Sequence, residues 1–215
     1  MQKLIWVIPF IILACIACDK KSKNNIYYKQ VNKEYVLKTN VQDLQQSNDA
    51  ISNHVDSILS GLLNVSVVGT GSLGLDLTND DDIDIGFEII DLVSLNGGYL
   101  PDSLDSLAAR VLPMGSQILD NSTFGYCDAL QANAVIDANA GTWGDRSSFV
   151  LGTFANAGLF NGQGERYLAF RFLDANDYNY GWIKLYLSAQ NDTLRIIEYA
   201  WNQTSNQEIL AGQTQ

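Results

Sequence analysis

The chain has 215 residues, of which 47% are hydrophobic and 17% are charged, so it can bury the core of one folded domain and is not a disordered protein. Its net charge of -11 argues against nucleic acid as a partner. The charge is also uneven, since residues 19–38 carry six lysines against two acids, while residues 40–215 carry 22 acids against six basic residues.

The chain opens with a leader. Residues 1–3 form a short start with one basic residue, Lys3, and residues 4–14 are apolar. This apolar run is too short to span a membrane and is typical of a signal peptide. The next residues resemble the lipobox of bacterial lipoproteins, in which small or aliphatic residues precede a cysteine that receives acyl chains such as palmitate. Two registers fit, ending at Cys15 and at Cys18, and we favour Cys18 because the polar residues 19–25 form a suitable tether. An ordinary secretory peptide with incidental cysteines is the alternative.

The resemblance to lipoproteins implies a signal peptide over 1–17 and a lipidated cysteine with its tether over 18–40. The remaining residues, 41–215, are predicted from their own strand pattern to form a single β-sandwich domain. The resemblance also implies a lipid-anchored protein outside the cytoplasm, on the outer membrane of a Gram-negative bacterium. Four tripeptides of the form Asp-Ser/Thr-aliphatic, the first at Asp56, resemble the O-glycosylation signal of exported Bacteroidota proteins.

After the leader, residues 27–38 are predicted to form a first strand. Apolar residues at three- and four-residue steps then predict one short N-terminal helix near 43–60. This helix contains His54, the only histidine, and its isolation argues against a metal or catalytic role. Cys127 is the only cysteine after the leader, so no disulfide framework is expected and the thiol should act as a small buried hydrophobe.

The most distinctive stretch is the acidic run 76–84, which is rich in aspartate. It leads into a strand in which acidic and apolar residues alternate from Asp82 onward. Carboxylates this close repel one another unless water or a cation lies between them, and calcium takes several oxygens from short acidic loops. The predicted calcium ligands are Asp76, Thr78, Asp80, Asp82 and Asp84.

Counted from the first aspartate, four of these ligands fall at steps one, three, five and nine of the loop. Asp81 stands at step six, where such loops normally have a glycine in a left-handed turn, and aspartate tolerates that conformation better than most residues. Phe87 replaces the bidentate glutamate expected at step twelve. A weak site, with a dissociation constant of about 10⁻⁴–10⁻³ M, would suffice outside the cell. The alternative is a solvated acidic turn that keeps a sheet edge soluble.

The C-terminal third has the clearest strand pattern. Residues 167–173 and 183–187 alternate between apolar and polar side chains, with Asn- and Asp-containing turns around them. The apolar phase changes between Ile196 and Ile197, which predicts a β-bulge. Residues 119–148 are rich in Asn, Asp, Gly and Ala, have few apolar runs and are predicted to be a long surface excursion. Together these features predict an all-β, antiparallel β-sandwich, of which a jelly roll is one form.

Six fragments of the chain form a recurrent pattern when they are taken in order. They are the acidic loop 76–84, the segment 112–118, the strand 167–172, the Tyr180-Gly181-Trp182-Ile183 strand, and the closing pieces 199–201 and 209–212. This order resembles the secreted β-rich domain of surface-anchored bacterial proteins of the PEP-CTERM type. Thr78, Asp81 and Asn179 depart from the family's pattern, which has Asp or Asn, Gly, and often His there. The resemblance implies a fold and a location more than an activity.

The sequence predicts a non-catalytic protein, because one histidine and one body cysteine leave no Ser-His-Asp or Cys-His set. A glycosidase that uses Glu165 with Asp174 or Asp177 as its two carboxylates is one alternative. A glycan-binding module with an exposed aromatic platform is another, unless a second layer covers the tryptophan, which is the commoner outcome for this residue type. The predicted platform residues are Trp182, Tyr180 and Tyr186.

Overall fold

The computed structural model describes residues 25–36, 65–94, 107–121, 125–153 and 157–215. All regular structure in these residues is β, so they contain no helix that could span a membrane. The strands are β1 (Ile26–Val36), β2 (Val65–Leu75), β3 (Ile85–Ser94), β4 (Leu107–Pro113), β5 (Ser116–Asp120), β6 (Val135–Ile136), β7 (Thr142–Gly144), β8 (Phe149–Thr153), β9 (Ala157–Gly158), β10 (Glu165–Asp174), β11 (Asp177–Leu187), β12 (Thr193–Asn202) and β13 (Ile209–Leu210).

Two large antiparallel sheets and one small one make up the described structure. The six-stranded sheet has the order β1-β12-β11-β10-β5-β7, and the five-stranded sheet has the order β2-β3-β4-β8-β9. β13 and β6 form the small third sheet. The predicted all-β antiparallel sandwich is thereby confirmed. Three consecutive strands are neighbours in each large sheet, β2-β3-β4 and β10-β11-β12, so the strand order is that of two meanders rather than of a jelly roll.

The main core lies between the two large sheets. Phe87 and Ile89 of β3 point into it from one side, and Phe170 of β10 and Ile183 of β11 contribute from the other. Alternate residues of each strand reach this core because strand side chains point to opposite faces in turn. Cys127 is also buried here, and desolvation raises the pKa of its thiol, as expected for a cysteine that acts as a small hydrophobe.

A second hydrophobic cluster covers the opposite face of the six-stranded sheet. Trp182 of β11 and Ala169 of β10 belong to it, together with Ile136 of β6 and Ile209 of β13. The prediction that 119–148 is only a surface excursion is therefore wrong, because this segment supplies β6, β7 and part of a packed layer. Its strands have two or three residues, which is too short for a periodic pattern to show in the sequence.

The first strand changes the predicted domain boundary. β1 pairs antiparallel with β12 and has a register shift between Gln30 and Lys33, which confirms the strand predicted at 27–38. The tether predicted over 18–40 is therefore too long, since the sheet already begins at β1. The helix predicted near 43–60, with its histidine, lies outside the described residues.

The bulge predicted in the last long strand is confirmed. Lys184 of β11 pairs with Glu198 of β12, but the next residue, Leu185, pairs with Ile196, so Ile197 is the extra residue. An extra residue shifts the side-chain alternation by one position. Ile196 before the bulge and Tyr199 after it therefore both point into the main core.

Candidate functional site

The predicted calcium ligands lie in the loop that joins β2 to β3. The loop is closed at its base, where the N–H of Asp84 donates to the carbonyl of Leu75 at 2.9 Å. It is held to the body by Leu77, which is fully buried, and by the Tyr199 hydroxyl, which donates to the carbonyl of Asp76 at 3.2 Å. The aspartates therefore stand on a base fixed to the sandwich.

Two of the carboxylates shape the loop by accepting backbone N–H groups. Oδ2 of Asp84 accepts the N–H of Leu77 at 2.6 Å and that of Thr78 at 3.1 Å. The Asp76 carboxylate accepts the N–H groups of residues 79, 80 and 81 at 2.6, 3.3 and 3.2 Å. Hydrogen bonds to an ionised acceptor are about twice as strong as neutral ones, so these two residues determine how the loop is folded.

The loop backbone is left-handed at two positions. Asn79 has a φ of 61° and Asp81 has a φ of 71°. The prediction that Asp81 adopts the conformation normally given to glycine at step six is therefore confirmed. The side chains of Asp80, Asp81 and Asp82 are exposed, and Asp80 accepts the N–H of Asp82 at 3.1 Å. The loop thus presents three carboxylates to solvent.

These carboxylates do not converge on one point. Among the described residues, no group of three or more Asp, Glu, His or Cys side chains lies close enough together to hold a metal ion. The oxygens of Asp76 and Asp84 instead point to backbone N–H groups. A carboxylate has about four lone-pair positions, so an oxygen that accepts one N–H still has capacity for a cation. The ligand set Asp76, Thr78, Asp80, Asp82 and Asp84 stays a prediction.

Glu88 continues the acidic side of the strand pattern, but it is not part of the loop. It is 1% exposed, and Nε of Arg110 donates to its Oε2 atom at 2.6 Å. The pair joins β3 to β4 on the face opposite the main core, since Phe87 and Val111 beside it point into that core. This ion pair could not be predicted from the sequence, which does not show that β3 and β4 are neighbours.

The predicted aromatic platform is wrong. Trp182 is 0% exposed and Tyr180 is 2% exposed, because the layer that contains β6 and β13 packs over them. Nε1 of Trp182 donates to the carbonyl of Gln213 at 3.2 Å, and Tyr167 packs edge-on against its ring at 5.3 Å between centroids. Only Tyr186 is half-exposed, so the three residues form no continuous surface for a sugar.

The predicted carboxylate pair is also wrong. Glu165 begins β10 and Asp174 ends it, where Asp174 stands opposite Asp177. At about 3.3 Å per residue, the two ends of this strand are about 30 Å apart, whereas a glycosidase pair needs at most about 9.5 Å. Glu165 instead pairs with Lys184 at 2.7 Å, and this hydrogen bond raises the pKa of the lysine.

No protein-family model, no curated protein and no solved structure matches this chain. The resemblances to bacterial lipoproteins and to PEP-CTERM-type surface proteins therefore stay predictions from the sequence. Functional proposals for this protein rest on its own residues and contacts.

Proposed function

We propose that this chain is a non-catalytic, exported lipoprotein that is anchored by acyl chains on Cys18 and stabilised by one calcium ion in the β2–β3 loop. The leader supports the anchor, because a basic start and a short apolar run precede the two candidate cysteines. Cys15 is the alternative acceptor. The outer membrane of a Gram-negative bacterium is the corresponding location, and more than one acyl chain is needed for stable attachment.

The short tether supports a domain that sits close to the membrane. Only residues 19–25 separate Cys18 from the start of β1 at Ile26. Even when fully extended, they span about 25 Å. β1 is an edge strand of the six-stranded sheet, so this edge is the part of the sandwich nearest the anchor. The membrane is therefore the proposed partner, reached through lipid rather than through a spanning segment.

The observation that carries the calcium proposal is the left-handed backbone at Asp81. A residue with a Cβ is disfavoured in this conformation, although Asp and Asn tolerate it better than other types. Calcium loops use a left-handed turn at this step to bring alternate side chains toward one ion. A cation here would offset the repulsion among the clustered aspartates and would stabilise the connection between β2 and β3.

Thermal unfolding of the full mature chain in calcium and in EDTA tests this proposal. If the dissociation constant is about 10⁻⁴ M, then about 10 mM calcium stabilises the folded state by about 2.7 kcal/mol. For a domain of this size, that corresponds to a melting temperature higher by about 5–10 °C. Magnesium should give a smaller shift, because it prefers a rigid octahedral shell and sheds water reluctantly.

A matched pair of variants locates the effect. Asp80→Asn/Asp82→Asn removes two carboxylates from the loop and should abolish the calcium-dependent shift. Asp145→Asn/Asp174→Asn removes the same charge at exposed positions outside the loop and should retain the shift. Equal melting temperatures of the unmodified chain in calcium and in EDTA would contradict the calcium site.

A further inference from the structure

A polar cleft lies where the small β13–β6 sheet meets the start of β11. Its volume is about 380 Å³, within the range of small-molecule sites. Of its six lining residues, five are polar and none carries a positive charge. They are Asp137, Asn206, Gln207, Glu208, Leu210 and Gln213. Such a lining suits an uncharged ligand rich in hydroxyl groups better than an anion or an apolar molecule.

One wall of the cleft is fixed by aromatic residues of the six-stranded sheet. Oδ1 of Asn206 accepts the N–H of Tyr178 at 3.2 Å, and the N–H of Asn206 donates to the carbonyl of Tyr178 at 2.7 Å. Nε1 of Trp143 donates to the carbonyl of Asp137 at 3.1 Å. Residues held to a packed sheet in this way lose little conformational freedom when a ligand binds.

A second part of the lining, at Leu210 and Gln213, is also fixed by hydrogen bonds. The buried Trp182 donates from Nε1 to the carbonyl of Gln213. Oε1 of Gln213 in turn accepts the N–H of Leu210 at 3.0 Å, which closes the turn after β13. The polar lining therefore has a defined shape, with a rigid scaffold behind it.

Two side chains in the cleft are available to a ligand. Gln207 and Glu208 are exposed, and within the described structure neither side chain makes a hydrogen bond or an ion pair with the protein. The amide of Gln207 offers donors and an acceptor, and the carboxylate of Glu208 offers two acceptors. A carboxylate beside an amide can form hydrogen bonds with two neighbouring hydroxyl groups of a ligand, because each hydroxyl can both donate and accept.

A stacked set of half-exposed side chains borders the cleft. Cζ of Arg171 lies 4.9 Å from the ring centre of Trp143 and 4.0 Å from that of Tyr178. These two aromatic residues are the ones that hold the cleft wall, so the stack and the cleft are contiguous. The guanidinium covers one face of each ring, and its Nε donates to Gln117, so the stack borders the cleft as a polar edge whose other N–H groups can donate to the hydroxyl groups of a sugar.

We propose that this cleft binds a neutral sugar unit of an extracellular glycan, with Gln207 and Glu208 contacting its hydroxyl groups. Acidic sugars are disfavoured because the carboxylates of Asp137 and Glu208 line the cleft itself, whereas the guanidinium of Arg171 is stacked on aromatic rings at its border. The site is distinct from the calcium loop and from the buried Trp182. It does not depend on the calcium site or on lipid attachment, and only the extracellular source of the glycan rests on the proposed export of the chain.

Native affinity electrophoresis of the full mature chain in calcium-containing gels tests the proposal. The neutral probes are β-glucan, mannan, xylan and galactan, and the acidic probes are alginate and polygalacturonate. The expected result is retardation by at least one neutral polymer and by neither acidic polymer. Migration unaffected by all four neutral polymers, or equal retardation by the acidic ones, would overturn the proposal.

Two double variants separate the cleft from other surfaces. Gln207→Ala/Glu208→Ala should weaken binding to the retarding polymer at least about tenfold, because two hydrogen-bonding groups are lost. Gln30→Ala/Glu34→Ala changes the same residue types at exposed positions on β1 and should bind normally. Circular dichroism of both variants checks that the sandwich is intact. Unchanged binding by the cleft variant would refute the assignment of the site.

Discussion

Replacement of Trp182 by alanine tests the second hydrophobic cluster. The side chain is fully buried, and truncation of a core tryptophan costs about 3–5 kcal/mol. The edge-on contact with Tyr167 contributes about 0.5–1.5 kcal/mol, and the hydrogen bond to Gln213 contributes about 1 kcal/mol. Because these contributions overlap with the burial term, we expect a loss of about 4–5 kcal/mol, a large part of the stability of an ordinary domain.

Urea denaturation followed by circular dichroism measures this loss without relying on tryptophan fluorescence. Tyr186→Ala is the matched control, since Tyr186 lies on the same strand and the same face as Trp182 but is half-exposed. Its ring contacts the guanidinium of Arg195 at 5.5 Å, an exposed cation–π contact worth about 0.5–1 kcal/mol. We expect Tyr186→Ala to cost less than about 1.5 kcal/mol.

The comparison distinguishes a covered face from an exposed platform. If β6 and β13 pack over Trp182, the two variants differ by about 3 kcal/mol or more. A loss below about 1.5 kcal/mol for both variants would mean that the tryptophan is solvated in the folded protein, and it would refute the second cluster.

Three further predictions concern other parts of the molecule. Burial raises the pKa of the Tyr199 hydroxyl, so above about pH 10 the unfolded chain loses a proton that the folded chain keeps. The free energy of unfolding should therefore fall as the pH rises above this value. Tyr199→Phe should reduce this fall when urea unfolding is measured at pH 8–11. A Cβ on Gly181 would lie 2.7 Å from the carbonyl oxygen of Ala200. Gly181→Ala should therefore lower the free energy of unfolding by about 2–3 kcal/mol. An unchanged urea midpoint would contradict this close approach of the two strands. Cys18→Ala should abolish palmitate labelling and membrane association while Cys15→Ala retains both, and the reverse pattern would indicate the other lipobox register.

Local features of the fold could be predicted from the sequence because neighbouring residues determine them. The alternation in β10 and β11 follows from the two-residue period of a strand, and the bulge at Ile197 is visible as a change of that period. The left-handed backbone at Asp81 could be predicted in the same way, since it depends on a loop of nine residues. The wide separation of Glu165 and Asp174 also follows from the length of one strand, so the incorrect glycosidase pair could have been rejected from the sequence.

Features that join distant segments could not be predicted from the sequence. The Glu88–Arg110 pair requires β3 and β4 to be neighbours, and the polar cleft requires Asp137 to meet residues near 206–213. The short strands β6 and β7 carry too few residues for a pattern, so the segment that contains them resembled a surface loop.

The sequence by itself determined the long strands of the C-terminal third, the bulge and the left-handed backbone of the acidic loop. Each of these depends on residues a few positions apart, whose spacing expresses backbone geometry directly. Only the tertiary structure decided that Trp182 is covered, which carboxylates are paired and where a cleft opens. The physical reason is that a strand's outward face is either solvated or buried according to what packs on it, and here that layer comes from short segments elsewhere in the chain.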